Sequence, residues 1–358
     1  MNLTALNETY GESALLAVGG LAIGVLFGFF GQRSKFCLRA AVIEFWHKQF
    51  GEKLSVWLLT FSSAVIAIQA LIVLGDLDVS AARQLANRGS MSGALIGGLM
   101  FGAGMVMTRG CASRLLVLSA TGNLRALLSG LIFAVTAQAS LSGALAPARL
   151  AISDVWTVEG GSSRDLLSIL GLSHTMGLAI GVVWLLAALY FSTHTKQKIW
   201  MWLGGIGAGL SVALAWWFTY AVGHASFEVV PIQGLTFSGP SAEWLMRVLA
   251  PNPPKIGFDF GLLPGVFLGS FLGAWIGNDL KLEGFKDGYS MTRYILGAIL
   301  MGFGAMSAGG CAVGAGVTGG AIFAVTAWLA LVGMWAGAGL VDRWMDAPPK
   351  SAPQLVQP

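Results

Sequence analysis

The chain has three cysteines, and each follows the same glycine spacing. Gly28, Gly102 and Gly302 stand nine residues before Cys37, Cys111 and Cys311. Residues 98–111 (GLMFGAGMVMTRGC) and 298–311 (AILMGFGAMSAGGC) match further at Gly104/Gly304 and Gly110/Gly310, and Gly97/Gly297 and Ala112/Ala312 extend the match. A thiol is a weak, polarizable hydrogen-bond donor, and as thiolate it is a nucleophile. Such groups can hand on a soft anion from sulfur to sulfur, capture a sulfane sulfur as persulfide, or simply pack, since free cysteine is among the most buried residue types. Equivalent placement of all three, with no cysteine elsewhere, favours a shared substrate pathway. Weak contacts suit passage, because a substrate must leave as readily as it enters.

The neighbouring residues narrow the choice. Arg109 stands two residues before Cys111, where it either attracts an anion or anchors the end of a span. Lys35 and Arg39 flank Cys37, and anchoring is the default for them. Gly110 and Gly310 are candidates for pathway backbone. Persulfide chemistry would need a thiol activated by nearby positive charge, and Cys311 has no basic neighbour in sequence. A zinc site would need four close ligands, and His47, His174, His194 and His224 show no ligand spacing. No metal or cofactor is therefore expected. The GxxxxGK[ST] phosphate loop is absent, which argues against ATP hydrolysis by this chain.

The elements that must position these thiols are membrane helices. Hydrophobic residues make up 55% of the 358 and charged residues 11%, with a mean hydropathy of +0.73. About 20 apolar residues cross the hydrocarbon core. Nine stretches qualify: 13–31, 54–75, 91–107, 124–146, 172–191, 199–222, 260–278, 294–307 and 321–341. Residues 1–12 hold Glu8 and Glu12 but no basic residue, so the first stretch reads as a retained span and not a signal peptide. No basic run with interleaved aromatics suggests nucleic-acid binding.

With the N-terminus outside, fifteen of the 21 Lys/Arg fall on inner segments and six on outer ones. The positive-inside rule then places the N-terminus outside and the C-terminus in the cytoplasm. The units 91–146 and 294–341 would run in opposite directions. They share the glycine–cysteine pattern and the pentapeptide FAVTA (133–137 and 323–327), which reads as an inverted repeat. The expectation is an all-α integral membrane protein with about nine transmembrane helices plus short broken or re-entrant helices. It would form one membrane domain over 1–341, with half-repeats 13–191 and 199–341, and a tail at 342–358. A weaker echo at 205–218 would put Phe218 where a cysteine falls. The repeat also predicts that Cys111 and Cys311 approach one another.

RGC at 109–111, GGC at 309–311, the cysteine after the first span and the length together resemble the YeeE/YedE family of membrane proteins, which import thiosulfate. The resemblance covers roughly 13–341. It implies an hourglass of two inverted halves with Cys37, Cys111 and Cys311 at its centre, and a cytoplasmic TusA-like sulfurtransferase as partner. Some relatives are linked to selenium. The leading expectation is a transporter, not an enzyme, for thiosulfate or a similar small anion. A membrane-embedded sulfurtransferase, a selenium-related transporter and a channel for small neutral solutes remain as alternatives.

Overall fold

The computed structural model describes residues 11–195, 197–226, 229–251, 256–285 and 288–345. Of the tail expected at 342–358, residues 342–345 continue the last helix, and the rest lies outside the described residues. Among the described residues, nine stretches are long and apolar enough to cross a membrane. The protein is an all-α, multi-pass membrane protein.

The first span is α1 (Glu12–Ser34), followed after a break by α2 (Leu38–Trp46), and α3 (Glu52–Leu74) returns. A connection bearing α4 (Arg83–Ala86) and β1 (Gly89–Ser90) leads to α5 (Met91–Met107), α6 (Ala112–Ala120) and α7 (Leu124–Ser142). Next come α8 (Ala146–Ser153), β2 (Thr157–Val158), α9 (Leu166–Ile169) and α10 (His174–His194). The rest is α11 (Ile199–Ala225), α12 (Ser238–Leu249), α13 (Phe258–Ile276), α14 (Gly288–Ser307), a π-helix (Ala312–Gly319) and α15 (Val325–Met345). β1 and β2 pair antiparallel, Gly89 opposite Val158. The long connections after α3, α7 and α11 emerge on the side where α1 begins, here termed the loop face.

The observed spans follow the expected ones closely, because apolar length sets them. The eighth is longer than expected: α14 starts at Gly288, not near 294. The long connections carry short helices of their own: α4, a 3₁₀ turn (Ser162–Arg164) with α9, and α12.

Glycine lets α5 and α14 touch along their lengths. A Cβ on Gly97 would stand 2.6 Å from the Gly304 carbonyl oxygen, and Gly304 meets Gly97 in return. Gly104 and Gly297 face each other in the same way. The two helices therefore run antiparallel with backbones in contact, the approach that small residues permit in membranes. α1 packs on α13 and α11, α3 on α11, α5 on α15 and α14 on α7.

Two sequence expectations need correction. α11 runs unbroken through Phe218, so the echo at 205–218 does not reproduce a cysteine break. Its glycines serve packing instead: Thr60 Oγ1 donates to the Gly205 carbonyl at 2.9 Å, and Gly209 faces Ser63. The FAVTA copies are not structural counterparts either. Phe133 lies midway along α7, whereas Phe323 precedes α15.

Candidate functional site

Each cysteine sits at one kind of helix break. The residue two positions before it is left-handed: Lys35 (φ 54°), Arg109 (φ 59°) and Gly309 (φ 77°). The next residue donates back five positions, Phe36 to Gly31 (3.1 Å), Gly110 to Met105 (3.1 Å) and Gly310 to Ala305 (2.9 Å). These bonds close the preceding helix as a Schellman turn does. The cysteine then becomes the N-cap of a new short helix. Its carbonyl accepts from four residues on, at Ala41 (3.2 Å), Leu115 (2.9 Å) and Ala315 (2.8 Å). All three thiols thus stand where a helix presents unpaired N–H groups and the positive end of its dipole.

The short helices end alike. Lys48 (φ 55°), Gly122 (φ 96°) and Phe323 (φ 56°) are left-handed. Gln49 donates to Glu44, Asn123 to Leu118 and Ala324 to Gly319. The segment after Cys311 carries one residue more than that after Cys111. The π-helix absorbs it, as single-residue insertions into helices commonly do.

The side chains divide the thiols into two groups. Cys37 and Cys111 interact directly, and the Arg114 guanidinium lies within electrostatic reach of both and of Asp279. Arg114 Nη1 donates to Gln32 Oε1 at 3.2 Å, and Cys111 Sγ lies 3.4 Å from Ser113 Oγ. The backbone N–H groups of Ala40 and Arg114, in the first turns of α2 and α6, lie within reach of the Cys37 and Cys111 thiols. Gln32 and Asp279 belong to the ends of α1 and α13 away from the loop face. Cys311 lies on the other side, and its sulfur accepts from Gly314 N–H at 3.5 Å. Gly314 packs against Thr236, and Thr318 Oγ1 donates to the Leu235 carbonyl at 2.5 Å. The Trp216 indole N–H is buried close by against Gly234, with no partner among the described residues. α6 and the π-helix touch.

Cys111, Cys311, Gly110 and Gly310 are buried, and Cys37 is half-buried. Arg109 is exposed at its break and makes no side-chain hydrogen bond among the described residues. Arg39 lies within electrostatic reach of Cys37, but the cation that reaches both thiols is Arg114, which sequence reasoning passed over. Its signal was its place three residues after Cys111, one turn into the following helix. His47 pairs with Asp342 at 2.7 Å and His174 with Gln69 at 3.0 Å.

A cavity of about 400 Å³ opens on the loop face. Arg83, Arg88, Arg149, Arg164 and Glu243 line its walls, and its floor includes Gly309 and Gly314 of the third break. Arg164 is buried, donating from Nη1 to the Asn87 carbonyl (2.5 Å) and from Nη2 to Thr326 Oγ1 (2.6 Å). Burial, then the neighbouring Arg83, disfavours its charge. Burial likewise pushes the Glu243 carboxyl up, partly offset by Arg83. A second cavity of about 530 Å³ is an apolar groove among α2, α3, α10 and α15, and none of the cysteines lines it.

The family model described as sulphur transport matches residues 33–340. The chain belongs to this family. Two relatives are both named thiosulfate transporter TsuA. The protein from Spirochaeta thermophila is 26% identical over 343 residues, 90% of this chain and 98% of the relative. The one from Escherichia coli is 24% identical over 347 residues, 91% and 95% of the two chains. All three cysteines lie inside the family match.

Proposed function

We propose that this protein imports thiosulfate, or a closely similar small sulfur anion, along a path lined by Cys37, Cys111 and Cys311. One observation carries the reading: three thiols each cap a short helix after the same break, and two of them meet beside Arg114. A small dianion with a terminal sulfur suits that equipment. Its sulfur can accept weak S–H hydrogen bonds, and its oxygens can accept from helix N-termini. The path runs from the arginine-lined cavity to Cys311, then to the Cys37–Cys111 pair. The loop face is the outside, as the basic residues argue. The names of both relatives support the substrate.

The packing supports two inverted halves. Exchanging α1 with α11, α2 with α12, α3 with α13, α5 with α14, α6 with the π-helix and α7 with α15 maps the main helix contacts onto one another. On the cytoplasmic side, a TusA-like sulfurtransferase would receive the anion. The deciding experiment is uptake of labelled thiosulfate by cells lacking other sulfate and thiosulfate importers. Uptake that depends on this chain supports the reading, and equal uptake without it overturns it. A persulfide on Cys37 or Cys111 after turnover, found by mass spectrometry, would favour the sulfurtransferase alternative.

A further inference from the structure

Four short helices follow breaks in the paired halves, but only three begin at a cysteine. The fourth is α12, and its N-cap is Phe237. Ser238 and Gly239, the first residues of α12, line the loop-face cavity alongside Gly309 and Gly314. The ring of Phe237 lies beneath that floor, 1% exposed. It meets Phe27 at 5.3 Å between centroids, and Phe27 meets Phe36 edge-on at 6.3 Å. Phe27 and Phe36 are also buried, and Phe36 immediately precedes Cys37. A continuous aromatic seam thus runs from the cavity floor to the Cys37–Cys111 pair. We propose that Phe237 determines specificity in the path, closing it with Phe27 and Phe36 against anions that lead with oxygen.

The proposal rests on the transport reading and deepens it. An apolar constriction resists ions because they must shed water to enter it. A sulfate presents a strongly hydrated oxygen whichever way it turns. A thiosulfate can lead with its sulfur, which is softer and holds water less tightly. Ring edges carry partial positive charge and tolerate such an atom, whereas ring faces repel it. The Cys37–Cys111 pair acts after the phenyl rings, receiving the sulfur once it is past the seam.

The test uses the full chain in proteoliposomes, with labelled thiosulfate and labelled sulfate offered separately. The unmodified protein should carry thiosulfate and exclude sulfate. Phe237→Ala and Phe27→Ala should admit sulfate, lowering the thiosulfate-to-sulfate ratio by about tenfold or more, the scale of discrimination an apolar pocket provides. Phe237→Leu keeps an apolar plug and should stay near the normal ratio. An unchanged ratio in correctly assembled Phe237→Ala and Phe27→Ala overturns the proposal. If Phe237→Ala does not assemble, Phe27→Ala decides by the same criterion. An unmodified chain that carries no thiosulfate overturns the transport reading instead, and the sulfate leak of the alanine variants is read independently of it.

Discussion

The breaks at Cys111 and Cys311 share backbone geometry but not side chains. Three residues after Cys111 stands Arg114, bound to Gln32 and close to two thiols. Three residues after Cys311 stands Gly314, whose N–H binds the sulfur and whose α-carbon packs on Thr236. No side chain fits there. The cations on that side sit higher, as the arginines of the loop-face cavity. One end of the proposed path therefore holds a fixed charge beside its sulfurs, while the other gathers an anion with solvated charges and passes it over neutral backbone. A strong fixed site at both ends would hold the substrate too well for transport.

The largest expected effect comes from removing the fixed charge. Arg114→Gln should lower thiosulfate uptake by about tenfold to a hundredfold, on the ~1.5–3 kcal/mol scale of a hydrogen bond to a charged group. Arg114→Lys should restore part of it, since lysine keeps the charge but loses the planar fork. Uptake at normal protein level reads the effect. Normal uptake by Arg114→Gln would erase the difference drawn between the two breaks.

The cysteines come next. Cys111→Ala and Cys311→Ala should slow growth on thiosulfate as sole sulfur source while the protein still accumulates. Cys→Ser keeps the size and a donor but replaces a soft atom with a hard one. Cys111→Ser and Cys311→Ser should each lose most uptake. The loss should be greater at Cys311, where no cation compensates. Equal and full activity of both serine variants would mean that sulfur contact is not the mechanism.

These residues also show what a sequence can reveal. The spans were legible because apolar length alone fixes them. The breaks were legible because glycine and cysteine recur at one spacing. Arg114 was not, because its importance depends on the chain turning at Arg109 and starting a new helix toward Gln32. Arg109 drew attention by adjacency, yet it is the residue that bends. Phe237 was invisible for a similar reason: without a cysteine, nothing in the sequence marks the fourth break. The FAVTA copies misled, because shared residues landed at different heights of α7 and α15. The cavity arginines come from two separate connections and Glu243 from a third, and only the fold gathers them.

The smallest expected effect concerns acidity at the cavity. Glu243 is a carboxylate among arginines, set into the wall yet open to the cavity, and it makes no hydrogen bond or close ion pair among the described residues. Arg83 from α4 acts on it, Asp259 from α13 is its acidic neighbour, and Asp154, 3.9 Å from Arg88, lines the same cavity. The charged residues of α7 and α14, Arg125 and Arg293, lie at the far ends of those helices. Because burial raises its affinity for protons, Glu243 protonates at a higher pH than an ordinary carboxylate. Protonation removes a negative charge from the anion's entrance, while thiosulfate keeps both of its own. Uptake at low substrate should therefore rise as external pH falls from neutral toward the carboxylate range, by about twofold to threefold for one partly screened charge. Glu243→Gln should show the higher rate at neutral pH and lose most of the dependence. By linkage, a bound anion must also raise the proton affinity of Glu243. A pH profile that is unchanged in Glu243→Gln would place the titrating group elsewhere and leave the arginines and Asp154 to set the entrance charge.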